Sequence, residues 1–172
     1  MSAARSRWVC CALAFAALLG LAAPPRAEAH KPSDSYLALA PVDARVQVRW
    51  DVALRDLDAA LGLDADDDGK LTWGEVRRRQ SDIDALLLSS LTFSNGNETC
   101  GAPRSADAGT LRHALAIHSD GAYAVLPFEL HCREFVDRLE AGYRLFAELD
   151  PTHRGIVSVS SAGGVTEAAV LC

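Results

Sequence analysis

The sequence holds a single methionine, Met1, and beyond residue 29 it contains no apolar run long enough to cross a bilayer. It also contains no glycine-rich phosphate-binding loop, no Gly-x-Ser-x-Gly nucleophile motif and no Cys-x-x-Cys pair. These absences remove the recognisable signatures of nucleotide-binding enzymes, serine hydrolases and thiol oxidoreductases. We therefore expect no enzymatic activity, and no membrane span in the chain after residue 29.

Positive charge is also scarce. The chain has 17 Lys and Arg residues against 23 Asp and Glu residues, a net charge of −6. Residues 1–29 hold three arginines and one glutamate, so the remainder has 14 basic and 22 acidic residues and a net charge of −8. Such a surface repels phosphate backbones, and we expect no nucleic-acid partner. The excess of acidic over basic residues favours the binding of cations.

The first 29 residues have the order of a secretory signal peptide: a basic start, an apolar segment and the small-residue site "AEA" at 27–29. The 16 residues from Trp8 to Ala23 are fewer than the roughly 20 that a spanning helix needs. A membrane anchor is the alternative. We predict removal of residues 1–29, a periplasmic or secreted protein, and one domain over residues 30–172.

The positions of the cysteines are consistent with an exported protein. Cys10 and Cys11 lie within the predicted signal peptide, which leaves Cys100, Cys132 and Cys172. An oxidising compartment favours a disulfide, and Cys100–Cys132 is the preferred pair because each residue ends a strand-like run. Cys172 is then unpaired. Three free thiols are the alternative.

Alternating hydrophobicity predicts that the domain is mainly β. Residues 45–54 place apolar side chains on one face and Gln47, Arg49 and Asp51 on the other. Turn signals follow at Asn95-Gly96 and Ser119–Gly121, and residues 139–149 alternate again. We predict an antiparallel β-sandwich with a helix–loop–helix inserted at about residues 56–88.

The inserted segment contains the loop "DADDDGKLTWGE", which runs from Asp64 to Glu75. It meets every position of the EF-hand pattern D-x-[DN]-x-[DN]-G-x5-E, and helical patterns flank it. Ca²⁺ prefers six to eight oxygen ligands, whereas Mg²⁺ demands a tighter octahedron. We predict a Ca²⁺ site whose ligands are Asp64, Asp66, Asp68, the Lys70 carbonyl, Thr72 and Glu75. Asp67 is expected to face outward.

A second hand is not expected. "DPTHRGIVSVSS", which begins at Asp150, has Thr152 and Arg154 where oxygen ligands would be needed. The lack of methionine after residue 1 also argues against a sensor that opens a Met-rich groove. We therefore expect the ion to be structural or to modulate a partner interaction.

Three segments resemble the extracytoplasmic N-terminal region of bacterial HupE/UreJ-like membrane proteins: "AHKPSDSYL", "WDVALRDLDAALGLDADDDGKLTWGEV" and "YRLFAELDPTHRG". The resemblance implies an exported bacterial domain with an EF-hand-type loop. In that family the region precedes a multi-helix domain associated with nickel or cobalt handling. Transport is not carried over, and both a stand-alone and a truncated relative stay open. A separate alternative is an interaction module whose Ca²⁺-held insertion docks on a membrane-protein partner.

Copper binding is the alternative function. Cleavage after residue 29 would make His30 the N-terminal residue, whose amine and ring nitrogen both suit copper. A second histidine would have to lie nearby, and four are available in the sequence: His113, His118, His131 and His153.

Overall fold

Strands dominate the described part of the computed structural model, in which 47% of residues are strand and 20% are helix, and the strands form two sheets. The structure describes residues 34–101, 103, 111–136, 138–160, 164 and 166–171. These residues belong to one compact unit, Pro32–Cys172. The predicted signal peptide, His30 and Cys172 lie outside the described residues. The prediction of a mainly β domain is confirmed.

Six strands form the larger sheet: β1 (Asp34–Val42), β2 (Arg45–Ala53), β5 (Ala114–His118), β6 (Gly121–His131), β8 (Arg154–Ser160) and β9 (Thr166–Leu171). Their order is β5-β6-β2-β1-β8-β9. The alternation in β2 is as predicted, since Val46, Val48, Trp50 and Val52 are all buried. The prediction of a wholly antiparallel arrangement is wrong for one pair, because β1 and β8 are parallel.

The smaller sheet contains β3 (Leu91–Asn95), β4 (Glu98–Thr99) and β7 (Leu139–Tyr143), in the order β4-β3-β7. β3 and β4 form the hairpin predicted at Asn95-Gly96. Both β4 and β7 pair with β3 in antiparallel fashion.

The strand predicted over residues 139–149 ends early, at Tyr143. Leu145 and Phe146 are consecutive and both buried, which a strand with one face toward the core cannot provide. Phe146 has a left-handed backbone (φ 57°), and the amides of Leu149 and Asp150 both donate to its carbonyl. A tight turn replaces the strand because it buries two adjacent apolar side chains.

The insertion contains three described helices: α1 (Leu54–Leu61), α2 (Trp73–Arg78) and α3 (Gln80–Ser89). The single exit helix predicted from the sequence is divided at Arg79, whose backbone (φ −104°, ψ 14°) interrupts it. Trp73, the first residue of α2, is 37% exposed. Among the described residues, no helix has the length and apolar character needed to cross a bilayer.

One continuous core joins the elements. Val76, Ile83 and Leu87 from α2 and α3 pack in the same buried cluster as Trp50 of β2 and Phe93 of β3. The inserted helices are therefore fixed to the sheets by buried apolar surface, which is the dominant stabilising contribution in a domain of this size.

A hydrogen-bonded chain of buried and half-buried side chains also links the two sheets. Ser35 of β1 accepts a bond from the Trp50 indole (3.2 Å) and shares one with the Tyr143 hydroxyl of β7 (2.7 Å). The Tyr143 hydroxyl also contacts Nε2 of His153, which is 4% exposed. Because Ser35, Trp50 and His153 are buried and Tyr143 is half-buried, the loss of one partner would leave buried groups unsatisfied.

The predicted pairing of Cys100 with Cys132 is present as a disulfide. Cys100 directly follows β4 of the smaller sheet, and Cys132 directly follows β6 of the larger one. The bond therefore joins the two sheets covalently across 32 residues of chain.

Asp51 departs from its predicted place on the polar face of β2. It is only 4% exposed, because Arg49 binds both carboxylate oxygens at 2.8 Å and His118 covers Oδ2 at 2.9 Å. Burial acts to raise the pKa of Asp51, but the bonds from Arg49 and His118 outweigh it and leave the pKa lowered.

We predict that stability falls as the pH decreases below about 6.5 because of His153. Burial holds its pKa below the usual 6.5, so the unfolded chain binds this proton more readily than the folded protein. The contribution is therefore fully favourable above the unfolded pKa and is lost below it. Urea unfolding from pH 7 to pH 5 should show a weaker pH dependence in His153→Gln than in the wild type.

His131→Gln is the matched control, since the side chain of His131 is 66% exposed. It should keep the wild-type pH dependence. An unchanged slope in His153→Gln would show that other groups determine the effect.

Candidate metal centre

Two helix ends define the loop of residues 64–75. α1 is followed by its C-cap residue, Gly62, whose left-handed backbone (φ 60°) lets its amide donate to the Asp58 carbonyl at 2.7 Å. α2 begins after Thr72, the N-cap residue, which forms a capping box with Glu75. The segment between the helices is thereby fixed at both ends.

The loop brings three of the predicted ligands together. Carboxylate oxygens of Asp64, Asp66 and Asp68 lie within 4.8 Å of one another. Repulsion by Asp68 is the largest cause of a raised pKa at Asp66. Crowding of like charges therefore opposes ionisation of Asp66, and a cation among the oxygens would relieve the repulsion.

Local hydrogen bonds hold this turn. The Gly69 amide donates to Oδ2 of Asp64 at 2.8 Å, and the Lys70 amide donates to Oδ1 of Asp68 at 2.7 Å. Gly69 has φ 75°, a conformation that side chains with a Cβ rarely adopt. Asp67 also has positive φ, 55°, and faces solvent as predicted.

One oxygen of the cluster is buried without a hydrogen-bond partner. Oδ1 of Asp64 has almost no solvent exposure and accepts no bond, while Oδ2 is occupied by Gly69. A buried carboxylate oxygen normally has a partner, and its absence is unfavourable. The residues present thus fit an oxygen-binding cation, which would satisfy this atom.

Glu75 occupies a different position from the three aspartates. It is 4% exposed, and its oxygens accept bonds from the amides of Ala65 (3.0 Å) and Thr72 (2.9 Å) and from the Thr72 hydroxyl (2.6 Å). The bonds from Thr72 are the largest cause of its lowered pKa. Glu75 is not a member of the group within 4.8 Å. Its role as a ligand, and those of Lys70 and Thr72, stay predictions.

Two residues that the motif does not include hold the start of the loop. Oδ1 of Asp58 accepts bonds from the amides of Leu63 (2.7 Å) and Asp64 (2.9 Å). Nη1 of Arg79 donates to the Gly62 carbonyl at 3.2 Å. The only sequence signal was an aspartate one turn before a helix-ending glycine.

A cleft of about 310 Å³ lies between α1, the loop and the turn that joins β5 to β6. Asp58, Asp64, Asp120 and Tyr123 are among the residues that line it. The phenol of Tyr123 donates to Oδ2 of Asp120 at 3.0 Å. The start of the loop is therefore next to the larger sheet.

The four described histidines each contact an acidic or phenolic group: His113 with Asp84, His118 with Asp51, His131 with Glu129 and His153 with Tyr143. His30 lies outside the described residues, so the copper alternative stays a prediction.

Comparison of the chain with models of known protein families gives no match, and neither does comparison with curated proteins.

We predict that Thr72→Val destabilises the metal-free protein by about 1 kcal/mol, because the capping box is lost. The pKa of Glu75 should rise at the same time, since Thr72 supplies the bonds that lower it. Urea unfolding in chelator measures the first effect, and NMR titration of the Glu75 carboxyl measures the second. Ser81→Ala, at an exposed position of α3, is the control. An unchanged pKa of Glu75 in Thr72→Val would contradict the conclusion that bonds from Thr72 lower this pKa.

Proposed function

We propose that the protein is an exported, non-enzymatic Ca²⁺-binding domain in which one EF-hand-type loop is inserted into a β-sandwich. The observation that carries the proposal is the buried, unpartnered Oδ1 of Asp64 beside the carboxylates of Asp66 and Asp68. No hydrogen bond from the described part of the chain satisfies this atom, and a bound cation would do so.

The donor chemistry favours Ca²⁺ over other metals. The three clustered side chains offer carboxylate oxygens, which suit hard cations. Neither histidine nor cysteine belongs to the group, as a zinc or copper site would require. Ca²⁺ accepts irregular coordination by many oxygens, whereas Mg²⁺ needs a regular octahedron and retains its water.

Glu75 is the residue that we propose completes the ligand set. It is already buried and ionised, and its oxygens are held by Ala65 and Thr72 at the first turn of α2. Binding would require Glu75 to exchange some of these bonds for the cation. A carboxylate at this position is also favoured by the positive end of the helix dipole.

A structural role for the Ca²⁺ ion is better supported than a role in modulating a partner interaction. Val76, Ile83 and Leu87 anchor the exit helices in the main core, so a large opening of the hand would expose buried apolar surface. The Tyr143–Ser35 bond and the Trp50–Tyr143 ring contact at 6.1 Å support description of the two sheets as a sandwich. The bound cation would fix the inserted helices and their loop against the proposed sandwich.

Export is supported by two independent features. Residues 1–29 have the composition of a signal peptide, and a Cys100–Cys132 disulfide is typical of oxidising compartments. A periplasmic or secreted location would expose the loop to millimolar Ca²⁺, at which weak structural sites are occupied. Docking of the Ca²⁺-held insertion on a membrane-protein partner stays a prediction.

We predict that Glu75→Gln lowers Ca²⁺ affinity more than about ten-fold, because it removes a ligand charge. Calorimetric titration of chelator-treated residues 30–172 measures the affinity. Asp67→Asn is the matched control, since it removes one negative charge from the same loop at an exposed position. Asparagine also tolerates the positive φ at this position.

The control should bind within about three-fold of the wild type, because its side chain is not a ligand and surface charge is screened by salt. Equal affinities for the wild type and Glu75→Gln would contradict the proposed site. An equal loss of Ca²⁺ affinity in Asp67→Asn and Glu75→Gln would show that the effect arises from net charge and not from loss of a ligand.

A further inference from the structure

We propose that Asp58, which lies outside the twelve-residue loop, is a positioning residue that sets the Ca²⁺ affinity of the site. The inference rests on the proposed function, because it concerns the same loop. Asp58 belongs to the last turn of α1, six residues before the first predicted ligand, Asp64.

The contacts of Asp58 are directed at the start of the loop. Its Oδ1 accepts the Leu63 amide at 2.7 Å and the Asp64 amide at 2.9 Å, and its backbone carbonyl accepts the Gly62 amide at 2.7 Å. One residue thus receives three consecutive amides. The chain between the end of α1 and the first ligand is thereby held to a single path.

This path determines where the Asp64 side chain lies. Leu63 is 1% exposed and packs in the core, so the backbone before Asp64 is fixed from two sides. Asp64 is the residue whose Oδ1 is buried without a partner, and it can be kept there only if its backbone cannot move away. The bonds to Asp58 supply that restraint.

The energetic consequence is pre-organisation. Without Asp58, the amides of Leu63 and Asp64 would seek other partners, and the loop would have to be ordered when the ion binds. Groups that orient metal ligands without touching the metal typically change affinity by about 10–100-fold when they are removed. We expect Asp58→Ala to weaken Ca²⁺ binding by about ten-fold or more.

Charge and positioning make opposite predictions for the conservative variant. Asp58→Asn removes the negative charge but keeps an oxygen that accepts both amides. A positioning role predicts that Asp58→Asn binds Ca²⁺ within about three-fold of the wild type. A purely electrostatic role predicts that Asp58→Asn and Asp58→Ala lose affinity equally.

The experiment measures Ca²⁺ affinity by calorimetry for the wild type, Asp58→Ala, Asp58→Asn and Asp67→Asn. Circular dichroism in chelator checks that each variant is folded before titration. The amide proton shifts of Leu63 and Asp64, recorded by NMR in the metal-free state, report directly on the two bonds. They should change in Asp58→Ala and be largely retained in Asp58→Asn.

The expected result is a loss of affinity in Asp58→Ala that Asp58→Asn rescues, with Asp67→Asn close to the wild type. Wild-type affinity in Asp58→Ala, or equal losses in both Asp58 variants, would overturn the inference while leaving Ca²⁺ binding intact. No Ca²⁺ binding by the wild type would instead overturn the proposed function, so the two failures are distinguishable.

Discussion

Repulsion among three carboxylates is the constraint on which the account of this protein depends. Asp64, Asp66 and Asp68 hold oxygens within 4.8 Å of one another, and Asp64 does so with one oxygen buried and unpartnered. Such an arrangement is unfavourable for a chain on its own. Residues that are not themselves predicted ligands are therefore needed to hold the three carboxylates close together.

Three sets of contacts hold the carboxylate cluster in place, and they lie at increasing distance from it. Amides of Gly69 and Lys70 donate hydrogen bonds to two of the three carboxylates, and Asp58 and the Thr72–Glu75 capping box fix the two ends of the loop. Beyond them, the helices pack in the core shared by both sheets. In the proposed EF-hand, the two sheets would thus give the support that a second hand gives when EF-hands occur in pairs.

Local periodicity made much of this arrangement predictable. The alternation in β2, the hairpin turns, the disulfide pair and the loop between helices all follow from short-range patterns. The early end of β7 did not, because the burial of both Leu145 and Phe146 depends on neighbours distant in the chain. Asp51 was misplaced for the same reason, since His118 covers it from a strand 67 residues away.

Within the site, the motif identified the residue types but not all of their contacts. It placed Asp64, Asp66 and Asp68 together, yet gave no indication that Glu75 would be hydrogen-bonded to Ala65 and Thr72. It also contained no position for Asp58, since amide-accepting groups outside a loop are not part of a ligand pattern. Their identification requires the backbone path that the fold imposes.

The most direct test of the central claim is a Ca²⁺ titration of the chelator-treated wild-type protein, by calorimetry with parallel thermal melts. The account predicts one ion per chain, a Kd of about 10⁻⁴–10⁻³ M as in other extracellular sites, and a melting temperature that rises with Ca²⁺ concentration. Titration without heat, together with an unchanged melting temperature in millimolar Ca²⁺, would contradict it.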